Sequence, residues 1–267
     1  MHLSRFLLVG ALALAVGACD DDAGTAPEMG PLAALRFVNA VPDTVTQDLR
    51  LVDVTWDAFL NVAFGASYPA TAYFPVPAGS QRIKVFVSGA VSSDPTIVSR
   101  VFVDTVLSLQ EGSNYSMVHV GRATTGPGRQ AIVTEDVFDA PPAGQFAVRV
   151  VHVAASTGAV DLYARPSGTA PLGTPIATNV AYLSATPYVV LDTGAVNLAV
   201  TATGLATVAA NSTAPVGAVA TTTASGIGGS RIEGSVLTAY IIPGATPTTA
   251  PTILWIVDRR PPILSGP

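Results

Sequence analysis

The sequence predicts an all-β protein: two tandem Ig-like antiparallel β-sandwich domains that follow a signal peptide and a flexible tether. Three observations predict this organisation. A short apolar run near the N-terminus ends in a cysteine, the remaining apolar segments are short, rich in Val, Thr, Ile, Tyr and Phe and separated by turn residues, and the second half of the chain repeats the first. No amphipathic helical periodicity competes with this strand pattern.

Residues 1–18 have the pattern of a secretory signal peptide. Arg5 precedes an apolar run that is too short to span a bilayer, and two small residues precede Cys19. The segment Val16-Gly17-Ala18-Cys19 resembles the lipobox of bacterial lipoproteins, in which the cysteine is diacylated and becomes the mature N-terminus. Cys19 is the only cysteine, so no disulfide can form within the chain, and lipidation would remove a free thiol. We therefore predict lipidation at Cys19; the alternative is an ordinary secretory signal with an incidental cysteine.

Residues 19–31 are predicted to be the lipidated cysteine and a disordered tether. This segment consists of acidic, small and proline residues without apolar periodicity. The predicted location is the bacterial cell envelope, with the membrane as a partner through the lipid. Acidic residues directly after a lipid-bearing cysteine resemble an inner-membrane retention signal in some lineages and a surface-export signal in others. A periplasm-facing and a surface-exposed position therefore both remain open.

The strand pattern predicts a first β-sandwich over residues 32–138, a second over residues 139–258 and a C-terminal tail at residues 259–267. Proline and glycine interrupt the pattern between the two sandwiches. The candidate strands of the first half have the usual strand length. They are Ala34–Ala40, Asp48–Val54, Thr71–Pro75, Gln81–Ser88, Val98–Leu107 and Ser113–Val120.

The internal repeat is visible by direct comparison of the two halves. Leu35–Ala40 aligns with Val148–Val153, and at the same offset Asp48 aligns with Asp161. Other matching positions include Asn61-Val62-Ala63-Phe64 with Asn179-Val180-Ala181-Tyr182, and Gly79 to Gly89 with Gly194 to Gly204. The offset drifts along the chain, which indicates insertions in loops.

The second half also carries a family resemblance. A strand ending in His152, a short polar loop, the segment Ala159–Tyr163 and the segment Asn179–Tyr182 together resemble the DUF4397 domain, over roughly residues 34–245. The resemblance implies β-sandwich modules of bacterial secreted and lipid-anchored proteins, and it implies no biochemical activity. In the first half Asn39 replaces the family-like histidine, whereas Asp48 keeps the aspartate.

Composition and charge exclude one class of partner. The formal net charge is −5, charged residues make up 12% of the chain, and the only lysine is Lys84. Phosphate backbones require clustered Lys and Arg side chains, so we expect no nucleic-acid partner.

The sequence offers little for catalysis or for a cofactor. Beyond residues 1–18 the only histidines are His119 and His152, and a Gly-x-Ser-x-Gly motif is absent. Cysteine and histidine clusters with metal-ligand spacing are also absent, so we predict no metal and no cofactor. The prediction is a protein that is not an enzyme; the alternative is an envelope hydrolase that uses His152, with Asp161 as its partner.

Two charge pairs recur at the same spacing in both halves. Arg36 precedes Asp48 by twelve residues, and Arg149 precedes Asp161 by twelve. An arginine and an aspartate on adjacent antiparallel strands can form a partly buried ion pair. We therefore predict that each pair has a structural role.

Aromatic residues are the remaining candidates for binding. Trp56 and Tyr68 belong to an aromatic-rich part of the first half, and exposed aromatic rings stack well on sugars. Packing within the core is the alternative. The predicted function is a non-enzymatic binding or structural module of the envelope, with envelope proteins or polysaccharide as further partners. A polysaccharide-binding or adhesive surface module is the alternative, and Trp56, Tyr68 and His152 are the candidate binding residues.

Overall fold

The protein is all-β, as the sequence predicts. The computed structural model describes residues 30–52, 59–89, 100–155, 157–221 and 226–259, and within these ranges the chain forms eighteen strands and no helix. The predicted signal peptide, most of the tether, Cys19, Trp56 and nearly all of the tail lie outside the described residues. The described part of the chain contains no helix with the length and hydropathy of a membrane span.

Nine strands form in each half. The first-half strands are β1 (Leu32–Asn39), β2 (Gln47–Leu51), β3 (Phe59–Val62), β4 (Ala66–Tyr68), β5 (Phe74–Pro77), β6 (Gly79–Val87), β7 (Val101–Leu109), β8 (Asn114–Val120) and β9 (Gln130–Glu135). The second-half strands are β10 (Gln145–His152), β11 (Val160–Arg165), β12 (Ala177–Val180), β13 (Ser184–Ala185), β14 (Val189–Asp192), β15 (Asn197–Ala202), β16 (Val208–Thr213), β17 (Val236–Ile242) and β18 (Thr252–Arg259).

The two halves have the same sheet topology. In the first half one sheet has the order β4-β1-β8-β9, with β5 also paired to β1, and the other has the order β3-β2-β6-β7. The second half repeats this with β13-β10-β17-β18, with β14 also paired to β10, and β12-β11-β15-β16. One detail differs from the antiparallel expectation: β1 pairs with β8, and β10 with β17, in parallel. Between the two strands of each parallel pair the chain crosses to the other sheet and returns. The two strands can therefore run in the same direction.

Alternation along the strands builds a core inside each sandwich and a third apolar layer outside them. In β1 the side chains of Leu35 and Phe37 enter the core of the first sandwich, whereas Val38 points to the opposite face. In β10 Val150 enters the core of the second sandwich and Val151 points to the opposite face.

The third layer lies between the two sandwiches. It contains buried residues of both halves: Val38, Ala40, Val118, Val120, Val151, Val153, Tyr240, Ile242 and Ile256. The sheet that contains β1 therefore packs directly against the sheet that contains β10. Because both faces of these two sheets are covered, their strands read as continuous apolar runs.

Candidate functional site at the interface between the sandwiches

Charged side chains are buried inside this otherwise apolar interface. Arg36 in β1 is fully buried, and Arg149 in β10 is almost fully buried. Asp136, directly after β9, and Asp258, in β18, are buried on the same faces. Isolated buried charges would be costly, so their partners determine what this region does.

Each arginine binds the aspartate of the other half. Arg36 Nη2 donates to Asp258 Oδ1 at 2.6 Å, and Arg149 Nη2 donates to Asp136 Oδ1. Arg36 Nη2 also donates to Asp136 Oδ2 at 3.3 Å. In an isologous interface between symmetric subunits, residue i of one subunit contacts residue j of the other, and residue j of the first contacts residue i of the second. This chain builds that pattern within one polypeptide.

Hydroxyl groups donate hydrogen bonds to both aspartates in an equivalent way. Ser116 donates to Asp136 Oδ2 and Thr238 donates to Asp258 Oδ2, each at 2.5 Å. Two tyrosines donate in the same way: Tyr73 to Asp136 Oδ2 at 2.8 Å and Tyr188 to Asp258 Oδ2 at 3.0 Å. We call these residues the interface cluster: Arg36, Tyr73, Ser116, Asp136, Arg149, Tyr188, Thr238 and Asp258.

The cluster keeps its arginines charged. Burial by itself lowers the pKa of Arg36, but the neighbouring groups, of which the Asp258 carboxylate has the largest effect, together outweigh burial and raise that pKa above its ordinary value. Burial raises the pKa of the Tyr73 hydroxyl, so it stays protonated and can donate to Asp136. Two cations therefore face two carboxylates in a region that excludes water. Removing one of these four charged side chains would leave a buried charge without its partner.

The predicted pairing of Arg36 with Asp48 is wrong. Arg36 projects into the interface, whereas Asp48 belongs to β2 in the other sheet of the first sandwich. Asp48 Oδ1 instead accepts hydrogen bonds from the Asn61 backbone N–H at 2.7 Å and from the Ser88 hydroxyl at 2.6 Å. The equal spacing in both halves reflects the repeated fold and not a direct contact.

The predicted pairing of Arg149 with Asp161 is wrong for the same reason. Asp161 accepts from the backbone N–H groups of Asn179 at 2.8 Å and Gly204 at 2.9 Å, and these bonds lower its pKa. Asn61 and Asn179 both have left-handed backbones, with φ of 56° and 53°. In each half the aspartate thus accepts a hydrogen bond from the asparagine N–H, and the left-handed backbone of that asparagine turns the chain toward the neighbouring strand.

His152 fixes a loop. Its Nε2 donates to the backbone carbonyls of Gly158 at 2.9 Å and Thr157 at 3.2 Å, and its Nδ1 faces the Ala154 N–H at 3.4 Å. Burial lowers the pKa of His152, against the effect of its two carbonyl partners. In the described residues its partners are backbone groups, and it makes no hydrogen bond to Asp161.

In the first half, Asn39 occupies the position that aligns with His152. Its Oδ1 accepts from the Val41 N–H at 3.1 Å, and its Nδ2 donates to the Val62 carbonyl at 3.0 Å. An amide and an imidazole both combine one acceptor with one donor. Asn39 and His152 thus both accept from the backbone N–H two residues later, but Asn39 donates to β3 whereas His152 donates to the β10–β11 loop.

Of the two predicted aromatic binding residues, the structure describes only Tyr68. Tyr68 is 41% exposed, and its ring contacts the buried Phe59 edge-on at 6.0 Å. Tyr68 is thus partly exposed on the surface of the first half.

A crevice of about 620 Å³ opens beside the interface cluster. The end of β9, the segment that joins the two halves, and the bend between β13 and β14 line it. Phe138 and Tyr188 meet edge-on in its wall at 5.8 Å, and Arg149 lies at its base. Its volume is within the range of small-ligand sites, roughly 300–1,000 Å³.

Sequence reasoning missed Asp136, Asp258 and the two tyrosines of the cluster. A usable signal was present: Ser116 and Thr238 are 122 residues apart, and so are Asp136 and Asp258. Few residues of this chain are charged. Two aspartates that are separated by the same 122 residues as another aligned pair are therefore candidate partners for the two repeated arginines. No group of three or more His, Cys, Asp or Glu side chains that could hold a metal occurs in the described residues.

Comparison with known proteins identifies a domain but no activity. Residues 33–163 match the family model named Domain of unknown function (DUF4397). No curated protein matches the chain. A solved structure described as "Alpha-glucan binding by a streptococcal virulence factor" is 10% identical over 68% of this chain and 87% of that chain, with a TM-score of 0.20. A similarity this low does not assign a function.

Proposed function

We propose that this chain is a lipid-anchored protein of the bacterial cell envelope and acts as a non-enzymatic binding or structural module. In this proposal Cys19 carries the lipid, residues 19–31 are the tether, and residues 32–138 and 139–258 are two copies of a DUF4397 domain. The identical strand order of the two halves supports the tandem arrangement. The family match over residues 33–163 covers the first half and continues through β10 into β11 of the second half.

The exchanged ion pairs of Arg36 and Arg149 carry the proposal. They connect each half to the other inside a water-excluding layer, so the two sandwiches present their loops as one rigid body. A second tie lies nearby: Arg122, in the β8–β9 loop, donates to the carbonyls of Gly244 at 2.7 Å and Thr246 at 3.0 Å, in the β17–β18 loop. A rigid body with fixed loops suits display and recognition, because little conformational entropy is lost on binding.

The geometry gives little support to the hydrolase alternative. A general base needs a free nitrogen within reach of a nucleophile and a partner that orients it. Both ring nitrogens of His152 face backbone groups, and Asp161 holds Asn179 and Gly204.

A polysaccharide-binding surface is the second candidate, and the exposure of Tyr68 favours it. An exposed ring supported from below by Phe59 is a suitable platform for a sugar. The test is binding of the purified mature protein to insoluble cell-wall and storage polysaccharides in a pull-down. Tyr68→Ala should abolish binding, whereas Tyr163→Ala should leave it unchanged.

Lipidation is tested directly by metabolic labelling with a radioactive fatty acid. The full chain should incorporate label and sediment with membranes, and Cys19→Ser should do neither. Because Cys19 is the only cysteine, no other thiol can accept the label. Protease treatment of intact cells, with a periplasmic protein as the leakage control, then distinguishes a surface-exposed position from a periplasm-facing one.

A further inference from the structure

The two halves contribute equivalent edge strands, β18 and β9, to the interface, and the chain covers the edges of these two strands differently. On one side, the bend between β4 and β5 contacts the edge of β18: Thr71 bridges Val257, and the Ala72 N–H donates to the Val257 carbonyl at 3.1 Å. Ala72 adopts a left-handed backbone there, with φ of 64°. This backbone contact covers the edge of β18 beside Asp258.

On the other side the equivalent contact cannot form. Ala72 directly precedes Tyr73, and the residue that directly precedes Tyr188 is Pro187. Proline has no N–H to donate, and its ring holds φ near about −65°, so it cannot adopt the left-handed backbone of Ala72. The acceptor on this side would be Glu135, which precedes Asp136 as Val257 precedes Asp258. The crevice lies where this contact is missing.

The edge of β9 is therefore available at the crevice. Within the ranges that the structure describes, β9 is the last strand of its sheet. The Asp136 N–H bonds to the Asn114 carbonyl of β8, so alternation turns the N–H and C=O of Glu135 away from β8 and toward the crevice. Among the described residues, no backbone hydrogen bond of the interface covers these groups as Ala72 covers Val257. A free donor and acceptor on a strand edge is a template for an added strand.

The charge of the crevice restricts what would bind. Arg149 at its base is bound to Asp136 and offers no free cation. The exposed charges in the lining are the carboxylates of Glu135 and Asp139. Phe138, Pro141, Tyr188 and Val190 supply apolar walls. The surface thus suits a chain that carries both basic and aliphatic side chains.

We propose that the crevice binds an extended peptide segment of a partner protein, with alternating basic and aliphatic residues, which pairs with the edge of β9. The peptide supplies the N–H that Pro187 lacks, its aliphatic side chains pack on Phe138 and Tyr188, and its basic side chains face Glu135 and Asp139. This inference names a site and a ligand class for the proposed binding function and rests on that function.

The test uses the purified mature protein and a fluorescent peptide of alternating lysine and valine, with binding followed by anisotropy. We expect saturable binding that is at least about tenfold tighter than binding of a glutamate–valine peptide, a difference of about 1.4 kcal/mol. Glu135→Gln should weaken it several-fold. A lysine–valine peptide N-methylated on alternate residues should bind at least about tenfold more weakly, because strand pairing needs its N–H groups.

Pro187→Gly tests the cause of the opening. Glycine has an N–H and adopts a left-handed φ, so this variant should close onto Glu135, lose peptide binding and melt at a higher temperature. Ala72→Gly makes the matched change on the closed side, keeps its N–H and should leave peptide binding unchanged.

Absence of saturable binding at millimolar lysine–valine peptide would overturn the proposal. Equal binding of the N-methylated peptide would overturn it as well, whatever the folding of the variants. Equal binding by a folded Pro187→Gly protein would also overturn it. Each of these results leaves lipidation and the polysaccharide pull-down unaffected, so failure here is distinct from failure of the proposed function.

Discussion

Arg36 and Asp258 are 222 residues apart in the chain and are joined by a 2.6 Å hydrogen bond at the centre of the interface. Both side chains are fully buried, and the symmetric pair of Arg149 and Asp136 lies beside them. The first strand of one sandwich is thus tied to the last strand of the other. We therefore expect the two sandwiches to unfold as one unit.

Removing one arginine should be costly. Arg36→Met leaves the carboxylates of Asp136 and Asp258 buried with too little positive charge, so the free energy of unfolding should fall by about 3–5 kcal/mol. Urea denaturation of the purified protein measures it. Arg82→Met is the control: Arg82 pairs with Asp104 at the surface, where the arginine side chain is 52% exposed. Its loss should cost less than about 1 kcal/mol. Equal costs for the two variants would contradict the role of the cluster.

The two tyrosines of the cluster should contribute similarly. Tyr73→Phe and Tyr188→Phe each remove a hydroxyl that donates to a buried carboxylate, and each should lower the free energy of unfolding by about 2 kcal/mol. Tyr240→Phe is the contrasting control. The Tyr240 hydroxyl is buried in the same interface without a partner, so its removal should be neutral or stabilising. A large loss from Tyr240→Phe, or none from the other two variants, would contradict the hydrogen bonding described above.

Stability should fall in mild acid because of His119. Its Nδ1 donates to Gln47 Oε1 at 2.7 Å, whereas its Nε2 is buried without a partner. Burial, with a smaller contribution from Arg129, lowers the pKa of His119 from 6.5 to about 4. Between these values the unfolded chain binds more protons than the folded chain, so stability falls as the pH falls.

The His119 contribution should be about 2 kcal/mol between about pH 8 and about pH 5. His119→Gln keeps a donor for Gln47 and cannot titrate, so its stability should fall less over this range. Urea denaturation at several pH values gives the comparison. Parallel pH profiles for the two proteins would show that His119 is not buried as described.

Asp161→Asn should lower the melting temperature by a few degrees and leave ligand binding unchanged. An amide can accept only one of the two bonds from Asn179 and Gly204, and its NH₂ then faces a backbone N–H. Asp48→Asn should have a smaller effect, because the bonds from Asn61 and Ser88 both reach Oδ1 of Asp48, and an amide keeps that oxygen. Scanning calorimetry of both variants tests the order. An unchanged melting temperature for Asp161→Asn would contradict the structural role of this carboxylate.

The sequence pattern predicted much of the fold. Apolar segments with turn residues at their ends predicted β1, β2, β6, β7 and β8 within a few residues of their observed bounds. The apolar segment around Trp255 forms a strand, β18. The very short β4, of three residues, carries too few positions for alternation to be visible. Local periodicity therefore identifies long strands and misses short edge strands.

The pairings of the charged residues could not be predicted in the same way. The repeated spacing aligned Arg36 and Asp48 with Arg149 and Asp161, but spacing does not reveal which face of a sheet a side chain occupies. Arg36 lies on the face that the second sandwich covers, and its strongest partner comes from β18 at the end of the described chain. That contact depends on how two complete sandwiches pack, which no local pattern records.

If the exchanged ion pairs and the apolar layer dominate, the interface holds the two sandwiches together without help from the linking segment. The most direct measurement is size-exclusion chromatography of the mature protein after cleavage at a protease site inserted between Pro142 and Ala143, which are both exposed. We expect the two fragments to elute together at the position of the intact protein and to separate only in denaturant. Elution of two separate folded fragments under native conditions would contradict it.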